Sequence, residues 1–296
     1  MAHILKNDLL EVHIDLPYEN YNFSRFDWTG QISKVAYKGQ SLTGVESVDE
    51  EDLGKEGKGL FNEFGIDQPI GFKETEIGDW FIKIGIGWLR KTNEVYQFDK
   101  TYHIQPANFE VEGSEENLFL TCDCPPINGY AFYLKKEIKL LDGSFRIGYS
   151  LKNTGKKPLI TNEYTHNFMQ FDQASVDQDY ALKLPFQINQ KAFEAGINPE
   201  KVLYKNDQGL GFQTTPSSVF FFDHLAGQNP VDAKWALEHA DKKIGLSETG
   251  CFQTSKVNLW GTDQLISPEL FFDINLKAGE QVKWVREYQI YELGVK

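Results

Sequence analysis

The sequence predicts an all-β protein, a sandwich of large antiparallel sheets with few short helices. Apolar and polar residues alternate along most of the chain, as they do in strands that have one face in the core. Tyrosine and phenylalanine, which favour strands, occur 13 and 22 times. No repeat of fixed period and no proline-rich linker interrupts the 296 residues. We therefore expect a single domain over residues 1–296.

The expected strands follow one another closely. Near the start, LLEVHIDL alternates, and the KND before it predicts a hairpin turn. In the middle, EIKLLDGSFRIGYSLKNTG predicts a second hairpin that turns at Asp142-Gly143. The remaining candidates are QISKVAY, EVYQFDKTYHIQ, NFEVEG, NLFLTCD, KPLITNEYTHNFMQF, SVFFFD, CFQTSKVNLW, ELFFDINL and QVKWVREYQIYEL.

Two segments differ from this pattern. PVDAKWALEHADKK, residues 230–243, predicts a helix, because Pro230 stands at its start and Val231, Trp235 and Leu237 supply apolar positions. The acidic, glycine-rich VESVDEEDLGKEGKGLFNEFG, residues 45–65, predicts a long exposed loop. Loops of this length inside a compact domain are often functional.

Charge and cysteine content narrow the class of protein. A formal net charge of −13 argues against a nucleic-acid or anionic-membrane partner. Cys122, Cys124 and Cys251 are too few for a disulfide framework or a zinc site, so we expect free thiols. The first residues, MAHILKNDLL, lack a basic start followed by an apolar run. We expect no signal peptide, no membrane span and a cytoplasmic location.

Several motifs are incomplete. KIGIGWLR has no third glycine for a dinucleotide site, and GKEGKGLF lacks the end of a phosphate-binding loop. There is no G-x-S-x-G nucleophile elbow. The six histidines are scattered, so nothing in the sequence predicts a metal site.

The segment NEYTHNFMQFD, residues 162–172, contains the first candidate for catalysis, His166. In a regular strand its neighbours Tyr164 and Phe168 share its face, while Asn167 points to the opposite face. The alternative for His166 is a hydrogen-bonded core histidine. A histidine in a cleft is suited to general acid–base work near neutral pH.

Three blocks together resemble the aldose 1-epimerase (galactose mutarotase-like) superfamily: NYNFSRFDWTGQISKVAYKG, SFRIGYSLKNTGKKPLITNEYTHNF and LWGTDQLISPELFFDINLKAGEQVKWVREYQIY. They lie between residues 20 and 291. The resemblance implies a galactose mutarotase-like β-supersandwich and an isomerase that interconverts the anomers of a sugar. By position it implies His166 as general acid and Glu269 as general base. It also implies a small-molecule sugar substrate, no cofactor, and a monomer or homodimer.

One position departs from the family pattern, in which an earlier segment of Asn-His-Gly type contacts the sugar. Here LFNEFGIDQPIG places Glu63 and Phe64 where histidine and glycine are expected. A carboxylate accepts hydrogen bonds from sugar hydroxyls, but it cannot act as a positively charged donor at neutral pH. We therefore expect the substrate or its orientation to differ from galactose.

Five further residues are candidates for substrate binding. Trp260 is expected to stack on the apolar face of a sugar or to lie in the core. Arg25 is expected to hold a substrate oxygen or to pair with Asp27. The other three are Lys83 and Arg90, as partners for a phosphate or carboxylate or as structural cations, and His224, which follows a strand.

Two other functions remain open from the sequence. The first is a catalytically silent carbohydrate-binding protein that has the same fold, for which His166 and Glu269 are dispensable. The second is a polysaccharide lyase or hydrolase, since fold alone does not fix function. A lyase needs a cation beside a uronate carboxylate, and Arg25 or Lys83 would supply it.

Overall fold

The computed structural model describes residues 3–47, 49–50 and 53–294. This part of the chain consists mainly of strands and turns, which confirms the predicted all-β class. The strands of the first half are β1 His3–Lys6, β2 Leu10–Asp15, β3 Gln31–Tyr37, β4 Gln40–Ser41, β5 Leu60–Phe64, β6 Trp80–Lys83, β7 Gly87–Arg90, β8 Ile104–Pro106, β9 Asn108–Gly113, β10 Asn117–Ile127, β11 Tyr130–Leu141 and β12 Ser144–Asn153.

The second half continues in the same way. Its strands are β13 Leu159–Asn167, β14 Tyr180–Lys183, β15 Leu203–Asn206, β16 Gly209–Phe212, β17 Phe220–Phe222, β18 Val231–His239, β19 Ile244–Thr254, β20 Val257–Gly261, β21 Ile266–Leu270, β22 Phe272–Leu276 and β23 Gln281–Glu292. The helix α1 spans Gln190–Ala195, and short 3-10 turns span Phe72–Glu74, Phe171–Gln173 and Pro199–Lys201.

These strands form two large and two small sheets within the described residues. The ten-stranded sheet has the order β15-β16-β14-β18-β19-β23-β12-β11-β10-β9. The seven-stranded sheet has the order β1-β2-β3-β5-β13-β22, with β4 paired to β3. The small sheets are β17-β20-β21 and β6-β7-β8. Both predicted hairpins are present: β1 pairs antiparallel with β2, and β11 with β12.

The two large sheets face each other across one apolar core. Leu5 and Val12 of the seven-stranded sheet and Leu118 and Leu134 of the ten-stranded sheet are fully buried members of the same cluster. Burial of one such side chain contributes about 1.5–3 kcal/mol. The alternating pattern of the sequence therefore produces the sandwich by turning one face of each sheet inward.

A second apolar cluster, mainly aromatic, lies beside the strands that carry the candidate site. It includes Phe26, Phe61 of β5 and Phe168, which directly follows β13, and Trp260 of β20 packs against it. The ring of Phe26 contacts those of Phe61 and Phe168 edge-on, with centroids 5.4 Å and 6.2 Å apart. The packed aromatic rings of this cluster therefore support the side chains of the candidate site from below.

The predicted helix over residues 230–243 is wrong, because Val231–His239 forms strand β18. Burial alternates along this strand, with Ala233, Trp235, Leu237 and His239 inside. The strand pairs with β14 on one side and β19 on the other. Hydrogen bonding on both edges and burial at every second residue outweigh the weak helical spacing.

The predicted loop over residues 45–65 is wrong at its end. Leu60–Phe64 is the fully buried strand β5, which lies between β3 and β13 in the seven-stranded sheet. The preceding described residues, up to Gly59, contain no strand, and Val45 forms one isolated bridge with Lys58. Residues 48 and 51–52 of this segment lie outside the described residues.

The helices in the described part of the chain are all too short, or too polar, to cross a membrane.

Candidate active site

Strand β13 presents its side chains alternately to a cavity and to the core between the sheets. Tyr164 and His166 line the cavity. Asn167 points the other way, where its amide reaches Glu248 of β19. The face predicted from the sequence for each of these side chains agrees with the structure.

The structure brings His166 and Glu269 together although they are far apart in the chain. The Nε2 atom of His166 lies 3.4 Å from Oε1 of Glu269, and both side chains are about 95% buried. Glu269 lies on β21, opposite Asn258 of β20. Its carboxylate also accepts a hydrogen bond from Ser267, whose Oγ lies 3.4 Å from Oε1. The two residues expected to perform acid–base chemistry therefore form one pair that faces the cavity.

Aromatic rings fix the plane of the His166 imidazole. The ring stacks on Phe168, with centroids 4.0 Å apart and planes within 6°. Trp260 approaches it edge-on at 5.0 Å. The second ring nitrogen, Nδ1, is buried and has no hydrogen-bond partner among the described residues. The nitrogen that faces Glu269 is thus the ring atom available for proton transfer.

Burial shifts both members of the pair toward their uncharged forms. It raises the pKa of Glu269 to about 8, against the opposing effect of the Arg25 charge. Burial also lowers the pKa of His166 well below its usual value, and Arg25 lowers it further. Both shifts favour a protonated carboxyl group on Glu269 beside an uncharged imidazole near neutral pH.

Arg25 lines the same cavity and is held from two directions. Its guanidinium lies between the rings of Phe26 and Phe98, 4.5 Å from each centroid. Its Nε donates to Oε2 of Glu63 at 3.0 Å. Although burial opposes the charge, neighbouring Tyr164 and Glu63 keep the pKa of Arg25 above its usual value. Arg25 is therefore a fixed cation in the wall of the cavity.

Glu63 lies beneath the cavity and does not line it. Its carboxylate is fully buried and accepts hydrogen bonds from Arg25, from the Tyr164 hydroxyl at 2.9 Å and from Lys83 at 3.3 Å. Lys83 is itself buried, and its ammonium also donates to Tyr96. The residue that departs from the family pattern thus belongs to a buried charge cluster under Arg25.

The structure does not bring Arg90 and His224 into this cavity. Arg90 is exposed on β7, and its Nε donates to the carbonyl of Gly78. His224 is about half exposed, and its Nδ1 lies 2.8 Å from the carboxylate of Asp223. Asp223, in contrast, does line the cavity.

The cavity has a volume of about 480 Å³, which suits a small ligand. Ten of its fourteen lining residues were not predicted from the sequence. Tyr164 carried a signal, since it stands two residues before His166 in a strand. Asn258 carried none, because only the pairing of β20 with β21 places it beside Glu269. The lining residues that the sequence analysis missed are Glu46, Ile66, Asp67, Phe98, Tyr164, Phe221, Asp223, Lys256, Asn258 and Phe271.

A larger surface cavity, of about 650 Å³, lies between residues 184–188 and 205–209. Its only charged lining residues are Lys205 and Asp207, and it contains no facing acid and base. The smaller cavity is therefore the better candidate for chemistry. The described residues also contain no group of three or more His, Cys, Asp or Glu side chains that could hold a metal ion.

Comparison with known proteins gives a consistent result for the fold. No protein-family model and no curated protein matches the sequence. Many solved structures match nearly the whole chain. Among them are a Synechocystis protein (TM-score 0.63, 12% identity, 99% of this chain and 96% of that one), a galactose mutarotase-like protein from Lactobacillus casei (0.61, 13%, 98% and 100%) and a galactose mutarotase related enzyme from Lactobacillus acidophilus (0.59, 12%, 100% of both). The fold implied by the sequence resemblance is confirmed: this chain has the fold of the galactose mutarotase-like proteins.

Proposed function

We propose that this protein is an aldose 1-epimerase-like isomerase that interconverts the anomers of a hexose or a modified sugar. The observation that carries this proposal is the contact between His166 and Glu269, 3.4 Å apart on the wall of a ligand-sized cavity. An acid and a base this close can act on two oxygens that are bonded to one carbon atom. That is the geometry of an anomeric centre.

The reaction balances with these two groups alone. The base takes the proton of the anomeric hydroxyl while the acid gives a proton to the ring oxygen. The bond between the anomeric carbon and the ring oxygen then breaks, and an aldehyde forms. After rotation about the adjacent carbon–carbon bond, ring closure on the other face returns both protons. Nothing is oxidised or reduced, so the chemistry needs no redox cofactor.

The directions of the two pKa shifts favour one order of proton transfer in the first half of the cycle. Glu269 carries the proton because its pKa is raised to about 8, and it is the first donor. His166, whose pKa is lowered, is the first acceptor. Ring closure then uses each group in the reverse direction. The resemblance implied the opposite starting roles, but a reversible reaction that passes through the open chain uses both states of each residue.

Neighbouring side chains can contact a sugar that is bound beside His166 and Glu269. Trp260 lines the cavity beside His166, and its aromatic ring can pack against the apolar face of a sugar. Arg25 is held in the cavity wall by Glu63 and the two phenylalanine rings, and it can donate to a hydroxyl oxygen or to the oxygen that gains charge as the ring opens. Neither Glu63 nor Lys83 is accessible to the sugar in this arrangement.

Anomer exchange followed by NMR tests the proposal directly. Purified protein is added to glucose, galactose, their phosphates and uronic acids, alongside His166→Ala and Glu269→Gln. We expect faster exchange of at least one sugar with the wild type, and loss of about 100-fold or more of that rate in both variants. The matched control is His239→Gln, which changes another buried histidine, on β18, that does not line the cavity.

Two results would contradict the proposal that this protein is an isomerase. If no sugar exchanges faster than in buffer, the enzymatic proposal fails. If sugars nevertheless raise the thermal midpoint of the wild type and both variants equally, the protein is a carbohydrate-binding protein, and His166 is a core histidine.

A further inference from the structure

The face of β13 turned away from the cavity is unusually polar for the interior of a sandwich. Glu163, Thr165 and Asn167 are all fully buried there, between the seven-stranded and the ten-stranded sheets. Buried polar groups cost free energy unless each is hydrogen-bonded. The proposed acid–base chemistry uses none of these three residues, so their bonding partners need a separate explanation.

Arg286 of β23 supplies the first part of that explanation. Its side chain is fully buried and forms a two-point contact with Glu163, in which Nη2 donates at 2.7 Å and Nε at 3.1 Å. Nη1 donates to Glu248. Nη2 also donates to the main-chain carbonyl of Leu270, at 2.8 Å. One guanidinium therefore links β13, β19 and β21.

The side chain of Asn167 forms the second set of hydrogen bonds on this buried face of β13. Its amide nitrogen donates to the main-chain carbonyl of Pro268 at 2.6 Å and to Glu248 at 3.2 Å. Its amide oxygen accepts a hydrogen bond from the hydroxyl of Tyr288 at 3.0 Å. The side chain thus links β13 to β21 as well as to β19 and β23.

The hydrogen bonds of Asn167 and Arg286 reach the main chain on the two sides of Glu269. Pro268 and Leu270 directly precede and follow Glu269, and the carbonyl of each is held by one of the two side chains. Asn167 is in turn the residue next to His166. The strand that carries Glu269 and the strand that carries His166 are therefore tied together behind the cavity at the very positions that flank the pair.

We propose that Asn167 and Arg286 are positioning residues that set the distance between His166 and Glu269. The proposal rests on the proposed function, because it assigns these residues a task in that reaction. A displacement of about 1 Å at a reacting group can cost about 100-fold in rate. A network that merely filled the core would affect stability and leave turnover unchanged.

The test compares Asn167→Ala, Arg286→Lys and Tyr288→Phe with the wild type. Tyr288→Phe removes one hydroxyl bonded to Asn167 without opening a cavity, so it is the variant most certain to fold. The matched control is Ile138→Ala in β11, which destabilises the core of the ten-stranded sheet two strands away from β23. For each folded protein, kcat and KM for anomer exchange are measured together with the thermal midpoint.

We expect kcat to fall about tenfold or more in Asn167→Ala and Arg286→Lys, and about threefold in Tyr288→Phe, with KM within about twofold of the wild type. Ile138→Ala should lower the thermal midpoint and leave kcat unchanged. If the network variants lose only thermal stability, as Ile138→Ala does, the residues are structural and the proposal is wrong.

A second measurement keeps this proposal separate from the proposed function. The ring-nitrogen NMR shifts of His166 report its contact with Glu269 without any substrate, and Glu269→Gln shows the shift when the carboxyl group is changed. We expect Asn167→Ala and Tyr288→Phe to move the His166 shifts away from the wild-type values. The wild type could exchange no sugar while the His166 shifts still move in Asn167→Ala and Tyr288→Phe. The proposed isomerase function would then be wrong, and the positioning role of Asn167 and Arg286 would still hold. Unchanged shifts would overturn the positioning role in either case.

Discussion

Oε2 of Glu63 lies 3.0 Å from Nε of Arg25, and the carboxylate is fully buried beneath the cavity that Arg25 lines. Lys83 approaches the other carboxylate oxygen of Glu63 at 3.3 Å. One buried anion thus compensates two cations. Glu63 contributes to the site by holding Arg25 in the cavity wall.

Substitution of Glu63 by Gln should therefore destabilise the protein and disturb the cavity together. Removing one partner of a buried ion pair costs about 3–5 kcal/mol, because the remaining charge is left without compensation. We expect a loss of that order in the free energy of unfolding, and a raised KM because Arg25 loses its anchor. Chemical denaturation and exchange kinetics measure the two effects.

The control for this substitution is Glu287→Gln, which breaks the exposed pair between Arg146 and Glu287. An exposed pair contributes about 0–1 kcal/mol, so this variant should keep nearly full stability. Equal losses in the two variants would show that Glu63 is no more important than a surface carboxylate.

Removal of the Glu269 carboxyl group should change how stability depends on pH. The pKa of Glu269 is raised from 4.5 to about 8 on folding, so between these values the native state binds more protons than the unfolded state. The wild type therefore loses stability as pH rises through this window, and Glu269→Gln lacks that loss. We expect the stability of the variant relative to the wild type to increase from about pH 4.5 to about pH 8, by a few kcal/mol in total. Denaturation curves at several pH values test this, and a difference that stays constant with pH would refute the buried, protonated carboxyl group.

The exchange rate should depend on the same proton. Below about pH 8 Glu269 retains its proton, while His166, whose pKa is lowered, remains uncharged near neutrality. Above about pH 8 the pair loses its transferable proton, so kcat/KM should fall. The rate is measured from pH 6 to pH 10 after subtraction of the exchange caused by buffer. A rate that keeps rising above pH 8 would mean that a carboxylate base, rather than a carboxylic acid, limits the reaction.

Replacement of Trp260 by Ala should weaken sugar binding. Loss of an aromatic contact of about 1.4 kcal/mol corresponds to about a tenfold rise in KM. Trp260→Phe keeps a ring beside His166 and should show a smaller effect. The control is Trp88→Ala, since Trp88 is also half-buried but lies on β7, where its ring nitrogen donates to the carbonyl of Pro125. A KM unchanged in Trp260→Ala would place the sugar elsewhere in the cavity.

Local pattern predicted the fold well where burial alternates strictly. It placed both hairpins, and it placed His166 and Asn167 on opposite faces of β13. It failed at residues 230–243, where the spacing of four between Val231 and Trp235 is helical but the spacing of two between Trp235 and Leu237 is that of a strand. Pairing with β19, the next strand along the chain, and with β14, which is remote in sequence, decided between the two, and a local window around residues 230–243 does not contain β14.

The site was less predictable for the same reason. His166 and Glu269 were found through blocks that resemble a family, whereas their contact depends on the packing of β13 against β21. Arg286 did carry a signal that was missed. It stands between Trp284 and Tyr288 at a spacing of two, so the same alternation that buries those rings turns the arginine inward.

The buried Nδ1 of His166 has a consequence for the protonation of the imidazole before a ligand binds. In most catalytic histidines, a hydrogen bond to the second nitrogen decides which nitrogen carries the proton. Here the Phe168 ring fixes the orientation of the imidazole, and no described residue binds Nδ1 to fix its tautomer. The position of the ring proton is then left to Glu269 and to the incoming sugar. In the proposed reaction His166 both gives and takes a proton, and such a group gains from having no third partner that favours one of its two forms.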